Sequence, residues 1–225
     1  MMRSLALLAG AVALVFTTSA INIAQAGDTD SRKDIKAVKS DPLIRGAIVY
    51  KNYCSLCHGQ KGDGKARATK LYGQGNLVIT MNNNEPEYYE KLVRYGGSSV
   101  GRSRYMPAWE EELSEEQFAD VMEYLYVIEN PASRGKAVFM TNCILCHGVK
   151  ANGKGRASRL YDPKPADLTR SDKNDTYKKM IITNGGAAMG RSAVMPVWGL
   201  QLKEEEIDDV IAYLRTILVV PLPEQ

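Results

Sequence analysis

Cys54-Ser55-Leu56-Cys57-His58, repeated as Cys143-Ile144-Leu145-Cys146-His147, decides how this 225-residue chain is read. Two thiols three residues apart, with a histidine directly after the second, are the pattern of covalent haem attachment. On one helical turn the two sulfurs reach the vinyl-derived carbons of a porphyrin, and the next residue sets an imidazole nitrogen beneath the iron. Two Cys-x-x-Cys pairs also suit a zinc site or a pair of redox dithiols. Neither alternative needs a histidine after both pairs. The spacing therefore predicts two covalently bound haem c groups, carried by Cys54, Cys57, Cys143 and Cys146, with His58 and His147 as axial iron ligands.

All four cysteines lie in the two motifs, so none is left for a disulfide framework. Hydrophobic residues at 44% and charged residues at 24% describe an ordinary globular chain. The formal charge of +3 is too small to argue for nucleic acid or an anionic membrane surface. Residues 1–26 read as a cleavable export signal: Arg3 opens it, Leu5 to Phe16 form a short apolar run, and Ala24-Gln25-Ala26 precedes Gly27. An uncleaved anchor is the rival reading, but the apolar run is short for a membrane span. Cleavage removes Arg3 and leaves a charge of +2. Residues 27–41 are polar and lack aromatics, which predicts a flexible leader with no packing duty.

From Pro42 onward the chain repeats at an offset of 89. Aligned without a gap, residues 42–128 match residues 131–217 at 34 of 87 positions. One haem motif per copy predicts two small domains in tandem, 42–130 and 131–225, joined by a short linker around Asn130. Each reads as all-α. Asp41-Pro42 and Asn130-Pro131 supply an N-cap and a first-turn proline. Gly46 and Gly135 leave room for another helix to approach, four residues before the aromatic rings of Tyr50 and Phe139. A middle helix is expected from Pro86 to Tyr95, ending at Gly96-Gly97, with a partner ending at Gly185-Gly186. The last helix follows a Ser114-x-x-Gln117 capping box, with Phe118, Val121, Met122, Leu125 and Ile128 on one face. In the second copy that face is Ile207, Val210, Ile211, Leu214 and Ile217.

Only two histidines exist, and both are committed by the motifs, so bis-histidine ligation and a distal catalytic imidazole are excluded. Among nine methionines, only Met106 and Met195 are paired by the offset. Both sit in matching glycine-bearing loops, GGSSVGRSRYMPAW and GGAAMGRSAVMPVW, which are suited to wrapping a far haem face. A core methionine needs neither the following proline nor the matched position, so Met106 and Met195 are the expected sixth ligands. Met189 is the competitor in the second copy. Thioether sulfur favours reduced iron, and two filled axial positions leave no open site for substrate.

These features together resemble the class I cytochromes c, and more narrowly the tandem two-haem cytochromes of the bacterial periplasm. The resemblance rests on the Gly-x-x-x-aromatic first helix, Cys-x-x-Cys-His, the Met-Pro loop and the last-helix Tyr124-Leu125 and Tyr213-Leu214. It implies haem attachment outside the cytoplasm, first and last helices crossing near Gly46 and Gly135, and a one-electron carrier, not an enzyme. The expected partners are periplasmic redox proteins, with donor and acceptor open, no nucleic acid, and no stable membrane insertion after signal cleavage. The alternative is a haem-carrying subunit of a periplasmic dehydrogenase complex. In this family a proline carbonyl after the haem motif commonly meets the proximal histidine. Pro163 and Pro165 are candidates in the second copy, and the first has none in its Tyr72-Gly-Gln-Gly-Asn-Leu77 stretch. His58 is therefore expected to be oriented less rigidly than His147, giving two unequal haems. Arg67/Arg156 and Arg102/Arg191 are candidate propionate holders, and Trp109/Trp198 and Tyr72/Tyr161 candidate haem neighbours.

Overall fold

The structure is a computed structural model that describes residues 28–72, 76–77 and 85–219. The expected export signal over residues 1–26 lies outside the described residues. No strand occurs among the described residues. In the first half the chain forms α1 (Asp28–Lys39), α2 (Pro42–Val49), a π-type turn over Tyr50–Cys54, α3 (Ser55–His58), α4 (Thr69–Tyr72), α5 (Pro86–Tyr95) and α6 (Glu115–Val127). The second half adds α7 (Pro131–Asn142), α8 (Ile144–His147), α9 (Asp175–Ala188) and α10 (Glu204–Thr216). No described helix is long and apolar enough to cross a membrane.

Local chemistry sets the helix starts. The Asp41 side chain accepts from Leu43 N, and Asn130 accepts from Ala132 N and Ser133 N, each ahead of a first-turn proline. The Ser114–Gln117 box closes in both directions, at 3.2 and 3.0 Å. In the second copy Lys203 stands where Ser114 does, and half the box survives as Lys203 N donating to Glu206 Oε2 at 2.9 Å.

In each half the first helix crosses the last, α2 on α6 and α7 on α10. A Cβ on Gly46 would overlap the Asp120 carbonyl oxygen, and one on Gly135 would overlap that of Asp209. Glycine is thus required at both crossings. The residue before each glycine latches the crossing: Arg45 makes a two-pronged pair with Asp120 at 2.7 and 2.8 Å. Arg134 does the same with Asp209 at 2.7 and 2.6 Å. The apolar faces read from the sequence close the cores. Phe118, Val121, Met122, Leu125 and Ile128 are buried with Tyr50 and Tyr89, and Ile207, Val210, Ile211 and Leu214 with Phe139 and Met140.

The halves are interlocked at a junction of three residues. Arg134 also donates through Nη1 to the Ile128 and Glu129 carbonyl oxygens at 2.5 and 3.1 Å, satisfying groups at the C-terminus of α6. Two further ion pairs cross between the halves, Lys51 to Glu206 at 2.8 Å and Lys136 to Asp41 at 2.9 Å. Both acceptors are capping carboxylates, with one oxygen fixing a helix start and the other binding the opposite half. Leu43 packs against both cores, and Ile44 of α2 lies in the second.

The expectation of a flexible leader over residues 27–41 is corrected here. Residues Asp28–Lys39 are helical, and Val38 is buried in the second core beside Ile44, Phe139 and Ile207. Val38 supplies the apolar contact that the polar composition concealed.

Replacing Gly46 or Gly135 with alanine is expected to destabilise the protein by about 3 kcal/mol, because backbone and not a movable side chain occupies the space. Arg134→Met leaves the buried Asp209 carboxylate unpaired and is expected to cost about 3–5 kcal/mol in denaturant unfolding. Adding Asp209→Leu should restore most of that loss. An Arg134→Met variant of unchanged midpoint would show that the Arg134–Asp209 pair does not latch the crossing.

Candidate haem sites

Each motif occupies a single helical turn, α3 or α8, entered through a cysteine and left through a glycine at φ +78° (Gly59 and Gly148). Those glycines donate to Ser55 O at 2.9 Å and Ile144 O at 2.8 Å, and Gly64 and Gly153 then donate to the carbonyls of His58 and His147 at 3.0 and 2.9 Å. Backbone therefore holds both histidines in the same way. The buried Tyr50 hydroxyl donates to Gly59 O at 2.6 Å, adding a side-chain tie in the first half that Phe139 has no hydroxyl to match.

Burial pushes the Cys54 and Cys143 thiols up to about 12, with the neighbouring Cys57 and Cys146 adding to the shift. Cys146 is also raised by burial. Reactive dithiols and zinc-binding thiolates are set by the opposite shift, toward the anion. Among the described residues no three His, Cys, Asp or Glu side chains converge as a metal cluster. All four cysteines are half-buried, two on each turn that carries a histidine, a placement that suits covalent attachment of a haem.

The methionine loops are built as duplicates. Gly97 N donates to Met106 O at 2.9 Å, and Gly186 N to Met195 O at 3.1 Å. Met106 N and Met195 N donate to Ser103 O and Ser192 O at 3.1 and 3.2 Å. Gly96 and Gly185 both stand at φ +78°, where an added Cβ would press on Met106 O at 2.8 Å or Met195 O at 3.0 Å. Gly185 interrupts α9 with non-helical dihedrals, so the middle-helix ends correspond even though the second helical run continues to Ala188. Met106 and Met195 are both half-buried. Met189, the competitor, caps α9 through its backbone and is half-buried too.

His147 Nδ1 lies 3.2 Å from the Ala166 carbonyl oxygen. The partner is thus the residue after Pro165, not either proline. Burial holds the His147 imidazole below its ordinary value, partly offset by that bond. The same loop reveals where the 89-residue register slips. Leu77 N donates to Gly62 O at 2.7 Å as Leu168 N donates to Ala151 O at 2.8 Å, so the leucines are offset by 91 and the first-half loop is two residues shorter. Ala151 takes the left-handed conformation (φ 55°) that Gly62 takes at 67°, and it is fully buried.

Sequence reading singled out Arg102 and Arg191 but missed their tyrosine partners. Arg102 Nε donates to Tyr88 at 3.0 Å and Arg191 Nε to Tyr177 at 3.1 Å, which ties the start of each methionine loop to the middle helix. The arginines remain exposed, as do Arg67 and Arg156. Trp109 packs against the first core and edge-on to Tyr53, and Trp198 against the second core. Tyr72 stacks obliquely on Tyr105 at 4.9 Å. The offset alone pairs Arg102 with Arg191 and Tyr88 with Tyr177, and this was the available signal.

Comparison with known families assigns both halves. The family described as cytochrome c matches residues 132–218, and the family described as cytochrome c oxidase, cbb3-type, subunit III, matches residues 41–125. The chain belongs to the class I c-type cytochromes, with two cytochrome c domains in tandem. Its two domains carry two covalently bound haem c groups and serve electron transfer. Its relatives include the cbb3-type cytochrome c oxidase subunit FixP of Rhizobium etli, 24% identical over 88% of this chain and 72% of that one. The cbb3-type subunit CcoP of Rhodobacter capsulatus is 27% identical over 82% and 67%. The cytochrome bc1 complex cytochrome c subunit of Corynebacterium efficiens is 24% identical over 96% and 77%.

The two haems are expected to titrate at different midpoints, because the loop behind His147 is two residues longer than the loop behind His58. A redox titration giving one indistinguishable midpoint for both would show that this loop difference has no electronic effect.

Proposed function

We propose that the chain is an exported, periplasmic carrier passing single electrons between redox partners through two His/Met-ligated haems. In this reading Cys54 and Cys57 hold the first haem, with His58 and Met106 as axial ligands. Cys143 and Cys146 hold the second, with His147 and Met195. The observation that carries it is the duplicated glycine brace behind Met106 and Met195, which fixes two thioether-bearing loops identically when the surrounding side chains differ. A bound haem supplies reversible one-electron redox chemistry. The polypeptide supplies attachment, axial donors and exclusion of water. The junction at Arg134 keeps the two centres at a fixed separation, as relay between them requires.

A second reading, a subunit of a respiratory complex, is favoured by the names of the relatives, which describe subunits of a cbb3-type oxidase and of a bc1 complex. It replaces the dehydrogenase complex as the assembly to look for. Size-exclusion chromatography of native extract separates the two: a free protein of mature mass supports the carrier, and a stable hetero-complex the subunit.

The pyridine haemochrome is expected to count two haems per chain. Met106→Leu and Met195→Leu should each remove part of the weak red band of the oxidised spectrum and lower one midpoint, since thioether ligation raises the potential. Spectra and midpoints unaffected by both changes would overturn the ligand assignment.

A further inference from the structure

Helix α1 precedes the first domain in sequence, packs on α2 and reaches the second core through Val38. Val38 is 9% exposed and belongs to the buried cluster of Phe139, Ile182, Ile207 and Val210. One turn earlier on the same face, Asp34 and Ile35 are half-buried. They look across a groove of about 220 Å³ at Ile144, Gly148, Val149, Asn152 and Gly155. That segment begins within the second haem motif and runs on past His147. The charges are complementary, since Lys150, Lys154 and Arg156 line the same groove as Asp34. Two bonds anchor the helix where it turns into α2. Asp41 N donates to Val38 O at 3.2 Å, and Asp41 Oδ2 accepts from Lys136 Nζ of the second domain at 2.9 Å.

The supported segment is the one that needs a wall. Ala151 sits within it in a left-handed conformation that disfavours a side chain. Gly153 and Gly155 are there because a Cβ would overlap the Pro165 and Leu145 carbonyl oxygens respectively. A backbone so closely folded, with few large side chains of its own, relies on neighbours for rigidity.

We propose that α1 is an intramolecular strap for the second haem centre, with Ile35, Val38 and Asp34 as positioning residues for the backbone over residues 144–156. The segment leading into the first domain thereby braces the haem centre of the second. This rests on the two-haem reading, and exchange at backbone amides tests it separately from ligand identity.

The test is hydrogen exchange by mass spectrometry on the holoprotein, with the two midpoints measured on the same samples. Ile35→Ser and Asp34→Lys lie outside the buried cluster. Each is expected to speed exchange over residues 144–156 by about tenfold, leaving residues 206–214 of α10 and residues 54–64 of the first centre unchanged. The midpoint of the second haem should move and that of the first should not. Val38→Asp should produce a larger change, and Val38→Ile should behave as the parent protein. Unchanged exchange over 144–156 in all three disruptive variants would overturn the strap. So would an increase shared equally with α10, which would mark Val38 as a core residue only. If the haemochrome counts fewer than two haems in the parent protein, the two-haem reading fails, while the exchange result still judges the strap.

Discussion

The contact on which the rest depends is the crossing of the first and last helix in each half. At Gly46 and Gly135 two backbones meet with no room for a single carbon. That closeness brings the apolar faces of α6 and α10 against Tyr50 and Phe139, and so fixes where the chain emerges into the haem motif. An arginine one residue before each glycine ties the crossing to an aspartate on the opposing helix. The two latches differ in solvation: the Arg45 side chain is 29% exposed, whereas Arg134 and Asp209 are each 7% exposed. Burial holds the Asp209 carboxyl above its ordinary range even with the guanidinium beside it. A pair so deeply desolvated adds little net stability, yet removing one member is expensive.

That buried arginine is also what makes two domains into one body. Its remaining donor reaches the carbonyls that end the first domain's last helix, so the latch inside the second domain is also the cap of the first. Around it, Asp41 and Glu206 each spend one oxygen on a helix start and the other on a lysine across the boundary. Local helix initiation and domain docking therefore share atoms, and electron exchange between two haems benefits from a separation that does not drift.

Much of this was legible in the residues. Asp41-Pro42, Asn130-Pro131 and Ser114-x-x-Gln117 act locally, so their caps could be read without knowing the fold. The faces beginning at Phe118 and Ile207 were legible because a helical period needs only one buried side. Less was legible where partners are distant in sequence. Nothing adjacent to Arg134 announces Asp209, 75 positions away. Nor does an ungapped repeat disclose that the loop before Leu77 is two residues shorter than the loop before Leu168, because identities on either side restore the register.

By itself, the sequence determined that the chain is two helical domains, each with thiols and imidazole on a single turn and a methionine in a glycine-bearing loop. Those features depend on spacing along one short stretch, which sequence states directly. Tertiary structure alone decided that Ala166, not a proline, faces His147, and that the polar segment before the first domain is a helix with Val38 in the second core. The physical reason is that Ile35 and Val38, two large apolar residues among charges, are too few to set a periodic signal. The burial of Val38 depends on a surface built more than a hundred residues later.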